Sequence, residues 1–159
     1  MSVAFRRESD EEHKEPRFEI PIPPGPNLVT ARGLHQIEER VAALEAEVAA
    51  EADETAREAL RRDLRYWTTR LTTAQLAPRP PADEVGFGSR VRIRFGGAER
   101  IIHLVGGDEA DPATDRIAFF APLARALTGA FPGERIDFNG VAEAIEVIAI
   151  EPPEPEPDA

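Results

Sequence analysis

Apolar residues recur every three or four positions along residues 30–77, in two runs separated by a polar stretch. This spacing is typical of helices that each bury one apolar face. Thr30 stands just before the first run and suits the N-cap position of a helix. The seam positions are Leu34, Ile37, Val41, Leu44 and Val48 in the first run, and Leu60, Leu64, Trp67, Leu71 and Ala74 in the second.

The two runs do not share one register. A single continuous helix would place Thr55, Glu58 and Arg62 in its apolar seam, and all three are polar. An antiparallel hairpin instead gives facing pairs whose residue numbers sum to 108, such as Val48 with Leu60. The first arm is acidic and the second is basic, which also favours their association. We therefore predict an intramolecular hairpin, and the alternative is one long helix that pairs with a second copy.

Residues 85–151 show a different pattern, with the alternation that is typical of half-buried strands. Strands are predicted at 90–95, 99–106, 115–120, 135–138 and 142–151, with a "GGA" turn between the first two. The stretch 121–134 predicts a short helix that ends at Gly129 and is followed by a Pro-Gly turn. The fold class is therefore α+β: a helical hairpin followed by an antiparallel sheet of about five strands with one short helix.

Proline-rich and charged segments separate and flank these two parts. They predict a disordered or extended lead at 1–27, a hairpin at 28–77, a linker at 78–84, a sheet domain at 85–151 and a disordered acidic tail at 152–159. The N-terminus lacks the apolar core of a signal peptide, and no run of about 18 apolar residues spans a membrane. A cytoplasmic location is the expectation.

Composition limits the chemistry. The net charge of −11 argues against a protein that binds nucleic acid directly through a basic surface. Cysteine is absent, and the three histidines lack the spacing of a zinc site. The remaining candidate metal ligands are the carboxylates between the two helices, Glu51, Asp53 and Glu54, of which Asp53 and Glu54 could hold a metal. The alternative is that Asp53 caps the second helix and Glu54 lies in its first turn.

Several segments together resemble the bacterial Gre family of transcript-cleavage and elongation factors. "VGGDEADP", "RIAFFAPLARALTG" and "PGERIDF" resemble consecutive signature blocks of that family, in order and spacing. "PNLVTARGLHQIEERVAALE" resembles the start of its first helix. The resemblance implies an N-terminal coiled coil and a C-terminal domain of FKBP-like fold. It covers roughly residues 26–151.

The resemblance also implies a function. Gre factors dock on RNA polymerase through the globular domain and insert the coiled coil into the secondary channel. Tip carboxylates there help to hold Mg²⁺ in the polymerase active site. It follows that the partner would be RNA polymerase, with nucleic acid reached only through that complex. A cofactor of the chain's own, self-association and independent enzyme activity are not expected. The candidate partner-binding residues are Pro122, Leu123, Arg125 and Leu127, and the candidate turn motif is Asp108, Glu109 and Asp111.

Three departures from the family pattern qualify this expectation. Ala121 and Ala130 stand where the family has a Ser and a basic residue. Each helical arm is about 22 residues, or about 33 Å, which is several turns shorter than in cleavage-competent members. The acidic tip segment of those members is also missing. We therefore expect a regulator of elongation without efficient transcript cleavage. The alternatives are a genuine cleavage factor and a Gre-like regulator of the nucleoside diphosphate kinase regulator type.

Overall fold

The computed structural model describes residues 19–155, and residues 1–18 and 156–159 of the predicted lead and tail lie outside this range. Two helices form the predicted hairpin: α1 spans Ala31–Ala50 and α2 spans Glu54–Thr73. Thr30 caps α1 by accepting a hydrogen bond from the Gly33 amide, as its position in the sequence predicts. Ile37, Val41 and Leu44 of the predicted seam are buried, whereas the seam residues of α2 are half-buried.

A feature that the pattern did not predict closes the base of the hairpin. Strand β1 (Leu28–Val29) precedes α1, strand β2 (Gln75–Leu76) follows α2, and the two pair in parallel. The Gln75 amide donates to the Asn27 carbonyl at 2.8 Å, and the Ala77 amide donates to the Val29 carbonyl at 3.1 Å. The chain therefore enters and leaves the hairpin side by side.

The sheet domain contains five strands in the order β5-β4-β3-β7-β6. Their bounds are Arg90–Phe95 (β3), Ala98–Val105 (β4), Arg116–Ala118 (β5), Arg135–Phe138 (β6) and Val141–Glu151 (β7). Gly96 and Gly97 form the predicted turn between β3 and β4, and both have positive φ, which a two-residue hairpin loop of this type requires. A 3₁₀ turn at Pro112–Thr114 precedes β5, and the short helix α3 spans Pro122–Leu127.

The sheet is mixed, so the prediction of a purely antiparallel sheet is wrong. β5 runs parallel to β4, because the chain crosses back through the loop and the 3₁₀ turn between them instead of making a tight hairpin. The α+β class is confirmed. The core lies between one face of the sheet and α3, and its fully buried members include Val91, Ile93, Ile102, Leu104, Leu127, Ile145 and Val147.

Both termini make contacts that the disorder prediction did not foresee. In the lead, Glu19 pairs with Arg65 of α2 at 2.7 Å, and Asn27 is buried at the hairpin base. In the tail, Glu154 pairs with Arg116 of β5 at 2.7 Å. The predictions for 1–27 and 152–159 are therefore corrected for residues 19–27 and 152–155, which lie against the folded chain. Within residues 19–155, no helix is long and apolar enough to cross a bilayer.

Candidate functional site

The tip between α1 and α2 consists of Glu51, Ala52 and Asp53, and it turns without Gly or Pro. Glu51 and Asp53 both have extended backbone conformations with φ of −79°, which any residue adopts. The Arg57 side chain closes this turn by donating to the Glu51 carbonyl at 2.6 and 3.0 Å. A short turn of this kind leaves two arms of 20 residues each, or about 30 Å.

Each tip carboxylate has a partner within the chain. Glu51 accepts from the Asp53 amide at 3.1 Å, and Asp53 caps α2 by accepting from the Ala56 amide at 2.9 Å. Glu54 pairs with Arg57 at 3.0 Å and with Arg61 at 3.4 Å. Among residues 19–155, no group of three or more potential ligands is arranged to hold a metal ion. The tip therefore fits the capping interpretation and does not fit a preformed Mg²⁺ site.

The short helix α3 carries the predicted partner-binding residues, and it presents only some of them to solvent. Pro122 and Arg125 are exposed, and Leu123 is half-buried against the core. Leu127 is fully buried, so its assignment as a partner contact is wrong. A helix this short must bury its i and i+3 positions, here Ala124 and Leu127, to hold to the sheet. Ala121 at the N-cap provides no side-chain hydrogen bond, because alanine has no acceptor there.

An exposed aromatic residue adjoins this helix and was missed by the sequence reasoning. Phe120 lies just before α3, and half of its surface is exposed. Its ring contacts the ring of Phe119 edge to face, at 5.3 Å between centroids. The adjacent phenylalanines at a strand end were a usable signal, because alternation places successive side chains on opposite faces. Phe120, Pro122 and Arg125 are thus exposed apolar and cationic side chains within one short stretch of the chain.

The predicted turn motif does more than shape a turn. Asp108 accepts hydrogen bonds at 2.6 Å from both the Tyr66 hydroxyl and the Arg70 Nε of α2. The Arg70–Asp108 pair is nearly dry, with side-chain exposures of 5% and 10%. Arg70 Nη2 also donates to the Asn27 Oδ1 at 2.8 Å. These contacts hold α2 to the sheet domain.

Glu109 holds the first helix in the same way. Its side chain is 2% exposed, and it pairs with Arg32 at 3.0 Å. It also accepts a hydrogen bond from the Thr30 hydroxyl. The carboxylate lies at the N-terminus of α1, where the helix dipole favours a negative charge. Asp111, by contrast, accepts from the Ala113 amide within its own loop and caps the 3₁₀ turn. Asp108 and Glu109 are therefore reassigned from turn residues to the joint between the hairpin and the sheet domain.

The joint perturbs the titration of Tyr66. Burial and the hydrogen bond to Asp108 raise the pKa of its phenol to about 12. The folded chain thus keeps this proton at pH values where the unfolded chain, with a pKa near 10, has lost it. The stability that depends on this group is present below about pH 10 and is lost as the pH rises towards 12.

Because Tyr66 is the single tyrosine of the chain, absorbance of the tyrosinate reports on it alone. We expect the native chain to titrate near pH 12 and the chain unfolded in guanidinium to titrate near 10. Asp108→Asn should lower the native midpoint, because it removes the negative charge beside the phenol. Asp111→Asn is the matched control in the same loop and should leave the midpoint unchanged. An Asp108→Asn midpoint equal to that of the native chain would contradict the proposed joint.

Comparisons with known proteins identify a family that matches the sheet domain. Residues 80–152 match the family described as transcription elongation factor, GreA/GreB, C-term. Transcription elongation factor GreB of Neisseria meningitidis is 37% identical over 96 residues, which cover 57% of this chain and 59% of that protein. GreA of Sinorhizobium medicae is 35% identical over 72 residues, covering 43% and 46%. The chain thus spans three fifths or less of these relatives.

A solved structure described as prokaryotic transcription elongation factor GreA/GreB from Nitrosomonas europaea also overlaps the chain. It covers 77% of this chain and 97% of its own, with 19% identity and a TM-score of 0.39.

One prediction from the sequence needs correction in the light of these relatives. The statement that the chain is not an enzyme is wrong as it stands. The relatives carry the names of transcription elongation factors GreB and GreA. As the family resemblance implies, such factors take part in RNA cleavage by RNA polymerase. The relatives of this chain therefore contribute to a reaction of RNA polymerase, although they are not independent enzymes.

Proposed function

We propose that this chain regulates transcript elongation by binding RNA polymerase, because residues 80–152 match the C-terminal domain of the GreA/GreB family. The family match of the sheet domain is the observation that carries the proposal. In this proposal the sheet domain docks on the polymerase near the secondary channel, and the hairpin enters the channel. In this proposal the chain is cytoplasmic. It acts as a monomer, because its hairpin seam is covered within the chain.

The proposed docking surface is the exposed set Phe120, Pro122 and Arg125, with Leu123 behind it. An apolar patch with one cation is a composition that is enriched at the centres of protein interfaces. Arg125 suits a carboxylate on the partner, because its guanidinium pairs in a planar, two-pronged geometry. The tightly packed Ala124 and Leu127 beneath this surface fix its shape.

The proposal further holds that this chain stimulates transcript cleavage weakly. Its tip carboxylates are already engaged, in capping α2 and in pairs with Arg57 and Arg61. Recruiting them to a metal would require breaking those contacts. The arms of about 30 Å also give the tip a limited reach.

One experiment with two readouts tests this proposal. The full chain is first titrated onto immobilised core RNA polymerase, together with Arg125→Glu and with Arg125→Lys as the charge-preserving control. We expect Arg125→Glu to bind at least about tenfold more weakly, equivalent to about 1.4 kcal/mol. Arg125→Lys should bind with an affinity between those of the native chain and Arg125→Glu, because lysine keeps the positive charge but loses the two-pronged geometry. Absence of polymerase binding by the native chain would contradict the proposal and would favour a regulator of another enzyme.

The second readout is RNA shortening in backtracked elongation complexes. We expect the saturating chain to leave the shortening rate close to that of polymerase alone. Glu54→Ala should not change this rate, because Glu54 is expected to serve the hairpin and not a metal. A strong acceleration that disappears in Asp53→Ala or Glu54→Ala would instead identify a genuine cleavage factor.

A further inference from the structure

The segment Pro152–Pro155 borders a cleft beside the base of the hairpin. Arg90 Nη1 donates to the Pro152 carbonyl at 2.9 Å. Arg116 Nη2 donates to both carboxylate oxygens of Glu154, at 2.7 and 2.9 Å. Pro153, Glu154 and Pro155 form one wall of this cleft, which has a volume of about 130 Å³. The segment is therefore seated by one charge pair and one backbone hydrogen bond.

The opposite walls of the cleft are suited to proline. They include one aromatic ring and several apolar side chains, namely Leu76, Pro78, Pro80 and Phe87. Proline-rich segments dock on such surfaces, because their extended conformation is set in advance and little entropy is lost on binding. The sequence Pro-Glu-Pro thus places two proline rings at the same cleft as these side chains and a carboxylate on Arg116.

The carboxylate position is built by side chains that are themselves mostly buried. The Arg116 side chain is 15% exposed and the His103 side chain 10% exposed. His103 Nδ1 has no hydrogen-bond partner within residues 19–155 and lies 3.9 Å from Glu154 Oε1. Burial lowers the pKa of His103, which favours its neutral form.

The hydrogen bonding between Glu154 and Arg116 is incomplete. A strong arginine–carboxylate pair has two parallel hydrogen bonds from two nitrogens, whereas here Nη2 alone serves both oxygens. Arg116 Nε is buried without a hydrogen-bond partner among the described residues and faces Glu109 at 3.8 Å. The Arg116–Glu154 pair therefore relies on a single donor nitrogen and is weaker than a pair formed through two nitrogens, as expected of a contact that can be displaced.

We infer that the Arg116 position beside this cleft binds a proline-flanked glutamate in an acidic segment of a partner protein, and that Pro153-Glu154-Pro155 occupies this position in cis as a displaceable ligand. A chain with a net charge of −11 repels acidic peptides in general, so binding of such a segment depends on the two arginines at this position, Arg90 and Arg116. The tethered tail competes at an effective concentration in the millimolar range. Only a segment that fits the cleft better, or that is held nearby, displaces it.

Fluorescence anisotropy with the peptide EPPEPEPDA, the sequence of residues 151–159, tests this inference. The peptide is added to the full native chain and to the full chain carrying Glu154→Gln, which weakens the resident ligand. We expect the peptide to bind the Glu154→Gln chain at least about tenfold more tightly than the native chain. Equal affinity for the two chains, or no saturable binding to either, would overturn the inference.

Two controls test whether binding depends on the glutamate carboxylate or only on non-specific contact between the peptide and the chain. A peptide with Glu154→Gln and Glu156→Gln should lose most of the binding, and this control leaves the protein unchanged. Arg116→Gln, added to the Glu154→Gln chain, should also abolish binding. If the glutamine peptide binds as tightly as the glutamate peptide, or if a folded Arg116→Gln chain retains full affinity, the carboxylate site does not exist.

Discussion

Replacing Arg70 by alanine is expected to lower the free energy of unfolding by about 3–5 kcal/mol. Arg70 is 4% exposed, and its removal leaves Asp108 buried without its ionic partner. Asn27 loses its hydrogen bond from the guanidinium at the same time. The measurement is denaturant unfolding followed by the fluorescence of Trp67, the single tryptophan, which lies on the same helix.

Arg65→Ala is the matched control for this effect. Arg65 lies on the same helix and pairs with Glu19 at 2.7 Å, but the two side chains are 48% and 59% exposed. Ion pairs exposed to this degree contribute little to stability, so Arg65→Ala should have little effect on the free energy of unfolding. Equal losses from the two substitutions would mean that burial of the Arg70–Asp108 pair does not stabilise the joint.

Gly106→Ala is expected to destabilise the chain by about 1–3 kcal/mol or more. A Cβ atom at this position would overlap the carbonyl oxygen of Leu28 in β1. The obstacle is backbone, and the backbone of β1 is held by its pairing with β2. Relief therefore requires the base of the hairpin to move away from the sheet domain, which would be visible as lowered protection of the Gln75 and Ala77 amides from hydrogen exchange.

The neighbouring substitution Gly107→Ala provides the comparison. Its Cβ would meet ring atoms of Phe120 at 3.1 Å, and that ring is half exposed and free to turn aside. The loss of stability should be smaller than for Gly106→Ala, and the Gln75 and Ala77 amides should stay protected. The reverse order of effects would show that β1 is not packed tightly on Gly106.

Local patterns sufficed for the three helices and for the five strands of the sheet domain, because their periodicity reflects burial on one face. The alternation over "RVRIRF" places Val91 and Ile93 in the core, as the structure has them. The caps at Thr30 and Asp53 also follow from local chemistry, since each accepts from an amide three residues later.

The joint could not be predicted from local patterns, because it depends on contacts between residues far apart in the chain. Asp108 meets an arginine 38 residues earlier, and Glu109 meets Thr30 across 79 residues. β1 and β2 are two residues each, which is too short for a periodic signal. Arg70 also contradicts the usual expectation that arginine is exposed. Its burial becomes favourable only once Asn27 and Asp108 are in place.

The parallel pairing of β1 with β2 allows the length of the hairpin to change independently of the rest of the fold. Because both ends of the hairpin are fastened at one place, its length can change without disturbing the fastening. Seven residues added to each arm would restore the same apolar seam and move the tip outward by about 10 Å. Residues added to one arm alone would shift the seam instead. Related chains can therefore differ in hairpin length, and so in how far the tip extends, while the attachment of the hairpin to the sheet domain stays the same.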